Sequence, residues 1–307
     1  MDTRALRYFQ AVAEFGSYSR GAEFLRISQP AVSRRVRALE QELGGKLFIR
    51  HSRGVILTDA GRRLLERSQT ILRHVDQAGD DLRRGRDGPA ETLTLAVPPA
   101  AGNVLVPELA RRFAAVRPDV FLKIVAGFST YIHEWLVRGR VDLACLHDPV
   151  PQSGFIVTPL VREEVFLVGR RGALAPPRGQ LRVQDLAGLP LVLPGRPNAS
   201  RRLIDMWLAR GGVRLDIRME VDDHLIIRAL LKAGLGFSLL TQDAFRADLP
   251  LGELEAWPLR PRAFWELAMM QGAGERRGAA LAALADLVRA TAQDLVAAGA
   301  WPGAAAP

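Results

Sequence analysis

Val32, Val36, Leu39 and Leu43 recur at steps of 4, 3 and 4 and predict the apolar stripe of a helix that starts after Ser28. At about 100° per residue, Pro30, Ser33, Arg34 and Arg37 fall on the opposite face, which thus carries donors suited to phosphates and base edges. Ser28 suits the N-cap, and Pro30 sits in the first turn, where its missing N–H costs least. The bare backbone N–H groups of such a start fit a phosphate or the floor of a major groove. Upstream, Leu6, Phe9 and Ala13, with Val12 alongside, predict a helix capped by Thr3 and ended at Gly16-Ser17. A second helix over residues 19–25 buries Ala22 and Leu25, and Arg26-Ile27 leaves room only for a tight corner before the third. Downstream, Phe48-Ile49-Arg50-His51-Ser52-Arg53-Gly54-Val55-Ile56-Leu57 predicts a two-strand turn tipped with arginine. A plain three-helix bundle with a solvated charged face is the competing explanation.

Residues 58–86 predict a long helix in which Gly61, Leu65, Ser68, Leu72, Val75, Gly79 and Leu82 alternate steps of four and three, a heptad seam. Its small and polar members make it weak as an isolated coiled coil. A helix packed on its own domain is the alternative. Arg83-Arg84-Gly85-Arg86-Asp87-Gly88-Pro89 then breaks the helix and predicts a hinge.

Beyond residue 90 the pattern alternates. Strands are predicted over 93–97, 120–125 and 141–146, with helices over 104–115 and 132–138 between them. A second run gives strands over 164–168, 189–193, 216–221 and 237–240 and helices over 200–210 and 224–232. That order predicts an α/β body with a largely parallel sheet. A ligand in such a body meets the loops at the C-terminal strand ends, where helix starts offer unpaired N–H groups. Those loops hold Pro99, Ala100 and Ala101, then Ser129 and Thr130, then Arg196, Asn198 and Ser200, and finally Thr241 and Gln242, while His147 follows a strand towards the same cleft. Helix capping by Ser129 and Thr130, and a structural role for His147, compete with ligand contact. With Arg196 and several helix starts at the border and no clustered carboxylates, the pattern points to a small anion, a carboxylate in the first instance.

Composition narrows the function. At 48% hydrophobic residues over 307 positions, the chain can fill two or three cores. The formal net charge is +9, and residues 1–90 hold 17 Lys and Arg against 11 Asp and Glu, a net +6 that favours a polyanionic partner. Cys145 is the sole cysteine, which excludes an internal disulfide and a cysteine-based zinc module. No apolar leader or membrane-length run is present, so a cytoplasmic protein is expected. An enzyme could be built on Cys145 with His147 two residues on, yet no orienting third group or oxyanion signature accompanies them. Gly234-x-Gly236 and Gly272-x-Gly274 lack the third glycine of a nucleotide fingerprint.

The order Phe9-x-x-Val12-Ala13, Ser19 through Ala22-Glu23-Phe24-Leu25, Ser28-Gln29-Pro30-Ala31-Val32-Ser33, Leu39-Glu40-x-x-Leu43-Gly44, Leu47-Phe48-x-Arg50 and Leu57-Thr58-x-Ala60-Gly61 resembles the N-terminal half of LysR-type transcriptional regulators. The remainder is similar to their effector-binding half. The resemblance implies an α/β protein with a winged helix-turn-helix over residues 1–58 and a linker and dimerisation helix with its hinge over 59–87. It also implies a two-lobed domain over 88–307 resembling periplasmic solute-binding proteins, with lobe I at about 88–161 and 267–297 and lobe II at about 162–266. The implied partners are double-stranded DNA, read by Ser28, Gln29, Pro30, Ser33, Arg34, Arg37, Arg50 and Arg53, a small-molecule effector, RNA polymerase, and further copies of the chain as a homodimer or homotetramer. No cofactor, metal or membrane is implied. The alternative is an enzyme or solute-binding protein using the two-lobed domain. Family members often carry Ser or Thr where Ala100 and Ala101 stand, so ligand identity does not carry over. Pro98-Pro99, Gly127-Phe128-Ser129 with Trp135, and Pro194-Gly195-Arg196-Pro197 are similar to the subgroup named for nitrogen-assimilation control.

Overall fold

Three short helices open the chain: α1 (Thr3–Phe15), α2 (Tyr18–Phe24) and α3 (Gln29–Glu42). The computed structural model describes residues 1–51, 54–83, 91–174, 181–196, 198–210, 212, 215–273 and 278–307. They fall into two compact units, one within residues 1–90 and the other over residues 91–136 and 141–307.

In the first unit α1 is capped not by Thr3 but by Asp2, whose Oδ1 accepts from the Ala5 amide at 2.7 Å. A carboxylate also suits the positive end of the helix. Helix α2 starts at Tyr18, one residue earlier than predicted, and is capped by Ser17. Leu6, Phe9, Val12, Ala22, Val32, Val36 and Leu39 form the core. Leu43 leaves the predicted stripe and is 45% exposed, because α3 ends there and the chain turns through Gly44, with Leu47 filling the next core position. Glu40, which the stripe does not single out, is buried and accepts from the Leu47 amide at 2.9 Å and Lys46 Nζ at 2.8 Å. Burial works against its charge, but Lys46 and the amides of Leu47 and Phe48 outweigh it and hold the carboxyl below its ordinary range.

The turn fixed by Glu40 leads into the wing, β1 (Phe48–His51) paired antiparallel with β2 (Gly54–Leu57). The Val55 amide donates to the Gly16 carbonyl at 2.9 Å, pinning the wing to the end of α1. Gly54 has φ +145°, and a Cβ there would run into that same carbonyl, so glycine alone suits the position.

Thr58 accepts from the Gly61 amide at 2.9 Å and starts α4 (Asp59–Arg83). The predicted seam is consumed in part by the chain itself. Gly61 lies on the Leu47 carbonyl, the Ser68 hydroxyl accepts from Gln10 Nε2 at 3.0 Å, and Leu72 joins the head core. Small residues at 61 and 68 let α4 approach the head closely, so this half of the stripe faces inwards. Ile71 and Val75 remain exposed. The Leu82 side chain and, of the predicted hinge over 83–89, all but Arg83 lie outside the described residues.

The second unit runs β3 (Glu91–Val97), α5 (Pro99–Val116), β4 (Val120–Ala126), α6 (Ser129–Val137), β5 (Leu143–His147) and β6 (Phe155–Arg170). It continues through β7 (Leu181–Arg182), β8 (Pro190–Leu193), α7 (Ala199–Arg210), β9 (Asp216–Glu220), α8 (His224–Lys232) and β10 (Phe237–Thr241), and ends with β11 (Leu254–Gly272), α9 (Ala279–Ala297) and β12 (Ala304–Ala305). The main sheet has the order β4-β3-β5-β11-β6-β10-β8-β9. Pairs are parallel at both ends and antiparallel in the middle, where β6 and β11 run together from Phe155↔Gly272 to Arg170↔Leu254.

Separate cores lie on the two halves of this ladder. Leu95, Leu105, Phe113, Leu143, Leu284 and Trp301 fill one, and Leu167, Leu191, Ile204, Phe237, Trp257 and Leu259 fill the other. The predicted strand at 164–168 thus covers only part of the C-terminal half of β6. Strand β11 was not predicted, and Pro258 and Pro261 interrupt its pattern. The ladder skips residues 259–262 in a register shift between the pairs Pro258↔Phe166 and Ala263↔Val165.

Replacing Leu72 by alanine should cost the head about 2–4 kcal/mol, against under about 0.5 for Val75→Ala. Denaturant unfolding of the full chain checks this, and equal effects would remove Leu72 from the core.

Candidate functional site

The third helix of the head shows solvent Ser28, Gln29, Pro30, Arg34 and Arg37. Arg35, between the last two, is committed to Asp2, whereas Arg34 and Arg37 have no carboxylate partner among the described residues. Ser33 departs from the predicted face: it is 8% exposed, and its hydroxyl accepts from Gln29 Nε2 at 2.8 Å. It lies one position from Val32 and shares the edge of the buried stripe. Arg50 stands on β1 opposite Val55, and Arg53 lies outside the described residues.

In the second unit a cavity of about 100 Å³ opens where α6, the end of β5 and the start of α7 meet, lined among others by Ser129, Thr130, His133, His147 and Arg202. Ser129 opens α6, and its hydroxyl accepts from the His147 amide at 2.9 Å, joining helix start to strand end. His147 is itself held: Nε2 lies 2.6 Å from Glu163 Oε2, and its ring meets Trp265 edge-on at 5.8 Å. Trp301 Nε1 donates to the other Glu163 oxygen at 3.3 Å. His147 therefore lines the cavity with its orientation fixed from behind.

Two lining residues escape the strand-end reading, His133 and Arg202. His133 Nε2 is buried without a partner among the described residues, and burial, then the nearby charge of Arg202, push its pKa down, so the ring is neutral at pH 7. The signal was the four-residue step from Ser129 to His133, which puts both on one helix face. Among the described residues Arg202 reaches only the Asp148 carbonyl, at 3.4 Å.

Other predicted residues do not converge here. Arg196 is exposed and gives Nε and Nη2 to Asp205 at 3.0 and 2.7 Å, so the neighbouring carboxylate draws it out of the cavity. Asn198 is buried, and its Oδ1 accepts from the Ser200 amide at 2.9 Å, capping α7, although it borders a narrow cleft with Thr130 and Gly195. The helix predicted from residue 104 begins at Pro99, which turns Ala101 into the first core and packs Ala100 beside Val168 and Val192. Thr241 is buried opposite Val165 on β6, and Gln242 lines a different pocket with Phe166 and Phe245. Cys145 lies in the first core, where burial pushes its thiol up to about 12, too high to supply a thiolate near neutrality. No group of residues able to hold a metal ion occurs among those described.

A winged helix-turn-helix in one unit and a two-lobed α/β body with a polar cleft in the other define a transcriptional regulator with an effector-binding domain. Residues 3–62 match the family described as bacterial regulatory helix-turn-helix protein, lysR family, and residues 86–293 match the LysR substrate binding domain. The chain belongs to the LysR family of transcriptional regulators.

Among its relatives, the HTH-type transcriptional regulator BbuR of Bordetella bronchiseptica is 30% identical, over 99% of this chain and 94% of that protein. The nitrogen assimilation regulatory protein nac of Klebsiella aerogenes is 30% identical over 80% of each. A full-length OxyR variant from Pseudomonas aeruginosa shares 25% identity with a TM-score of 0.62, covering 94% of this chain and 95% of its own. Full-length CbnR in complex with its target DNA shares 25% identity with a TM-score of 0.53, covering 95% and 100%. No described helix is long and apolar enough to cross a membrane.

Behind Glu163, burial and then the Glu163 charge push the Asp243 carboxyl from its ordinary 3.8 up to about 7, against the smaller opposing pulls of Arg246 and Trp301. The folded protein thus keeps a proton that the unfolded chain releases. The stability this group contributes is complete below its ordinary pKa and is lost as pH rises through about 7. Asp243→Asn should raise the thermal midpoint at pH 8 more than at pH 5. A difference independent of pH would show that the carboxyl is ionised throughout.

Proposed function

We propose that this chain is a cytoplasmic, homo-oligomeric regulator that reads double-stranded DNA through α3 and its wing, and that a small carboxylate between the lobes alters that grip and the engagement of RNA polymerase. Residues 1–58 act as the reading head, 59–87 as the linking helix and 88–307 as the sensor. The observation that carries the DNA reading is the uncommitted pair Arg34 and Arg37 beside a committed Arg35. A guanidinium without a carboxylate partner loses no ion pair when it meets a phosphate or a guanine edge. Ser28, Gln29 and Pro30 bring the helix start to the backbone, and Arg50 and Arg53 of the wing supply flanking cations. The solved CbnR complex with target DNA supports this reading by analogy.

For the effector, the start of α6, the unpartnered neutral His133 and Arg202 favour an anion of small size. Catalysis by Cys145 is disfavoured because its thiol stays protonated.

Arg34→Ala should lose about 1–3 kcal/mol on the cognate site and much less on random DNA if the side chain reads a base. Equal losses in a salt-controlled titration would reassign it to a phosphate. For the effector, thermal stability of the full chain should rise with a small carboxylate, by mass action on the native state, and not with amines or neutral analogues. Arg202→Gln with His133→Gln should abolish that rise, and its survival would sink the carboxylate reading of this cavity.

A further inference from the structure

Trp301 is fully buried where the segment beyond α9 crosses the ladder. There Ala304 and Ala305 pair with Glu163 and Arg162 of β6, and the Glu164 amide donates to the Gly303 carbonyl at 2.8 Å. Gly303, at φ +73°, lies so close to Gln242 that a Cβ would come within 2.9 Å of its Oε1. The segment is therefore a strap laid over β6 and over the turn Gln242–Ala244, which follows β10 and packs against α5.

Beneath the strap two carboxyls share one donor. Trp301 Nε1 donates to Glu163 Oε1 at 3.3 Å, long for such a bond, and the same indole also draws on Asp243 of the turn. The second Glu163 oxygen is occupied by His147. Arg246, three residues on, pulls on Asp243 less than Glu163 repels it. Of the other charges nearby, Asp248 is held by Arg228 and Lys232, and Arg162 and Glu164 alternate to the opposite face of β6. Helix α5 carries no charged residue before Glu108. While Asp243 holds its proton, the indole is left to Glu163. Once that proton is lost, two buried like charges face a single N–H, and one of them must go without. We propose that Asp243, Glu163 and Trp301 form a pH-sensitive latch, in which loss of the Asp243 proton draws the indole from Glu163 to Asp243 and loosens the strap on β6. The latch is closed in acid and opens as pH rises through about 7. Glu163 then keeps only His147, so the change reaches the cleft without an effector.

The test uses the full-length protein with no added ligand, followed by tryptophan fluorescence and by amide hydrogen exchange. Trp301 beside the carboxyls and Trp265 beside His147 should make the fluorescence titrate with a midpoint near pH 7. Asp243→Asn should remove that transition, and Glu163→Gln, which takes away the repelling charge, should move it to lower pH. At pH 8 the Glu164 and Ala304 amides should exchange about three- to tenfold faster in the wild type than in Asp243→Asn, as loss of one hydrogen bond implies. At pH 5 the two proteins should exchange alike. If Glu163→Gln does not fold, the Asp243→Asn comparison decides. A transition that survives Asp243→Asn, equal protection of those amides at pH 8, or an unchanged or raised midpoint in Glu163→Gln would each overturn the proposal.

Discussion

The ladder between β6 and β11 is the constraint on which the second unit depends. Each strand pairs along its length with the other, and the parallel strands of both halves are attached to its flanks. A single antiparallel pair must therefore satisfy two cores. Its residues alternate between them and the junction, with Leu167 and Trp257 on one side and Val161 and Leu267 on the other. Glu163 and Trp265 fall at the junction itself, where β6 and β11 pair them directly. Because the ladder sets both, the His147 ring that they hold is positioned by backbone hydrogen bonds and not by a loop.

Three buried or half-buried acids show how differently the same group can be used. Glu40 accepts from two amides and a lysine, and so converts the end of α3 into a fixed launch point for the wing. Glu163 divides its oxygens between His147 and Trp301, linking the cleft to the segment beyond α9. At Asp243 the pull of Arg246 and Trp301 is weaker than burial and the Glu163 charge, and the carboxyl keeps its proton instead. Burial alone would push Glu40 and Asp243 the same way. The donors around each decide whether the charge survives.

What the sequence disclosed follows the range of the forces involved. Helix α8 was legible to the residue because its signals are local: Asp223 caps it by accepting from the Leu225 and Ile226 amides. Strand β11 was not legible, since its continuity is enforced by β6 across a stretch that contains two prolines. The seam of α4 was visible as a period but not as a destination. Steps of four and three identify a face, whereas its partner depends on Gln10 and Leu47, far away in the chain. The cleft behaved likewise: strand ends led to Ser129, Thr130 and His147, but the aim of Arg196 was set by Asp205, one helix turn beyond the loop.

The same lesson governs the arginines, which supply nearly all the positive charge of this chain. Counting them describes a basic protein and says little about where anions bind. Asp2 removes Arg35 from the available set, Asp205 and Glu220 remove Arg201, and Asp205 also removes Arg196. Arg34 and Arg37 on the head, and Arg162 on the flank of the second unit, lack a carboxylate partner among the described residues. An anion competes with water at these positions, but with an existing ion pair at the others, where binding must also replace that interaction. Recognition is therefore shaped by the acids that pair with some of the cations, and the arrangement of Asp and Glu helps to define the binding surfaces alongside the arginines themselves.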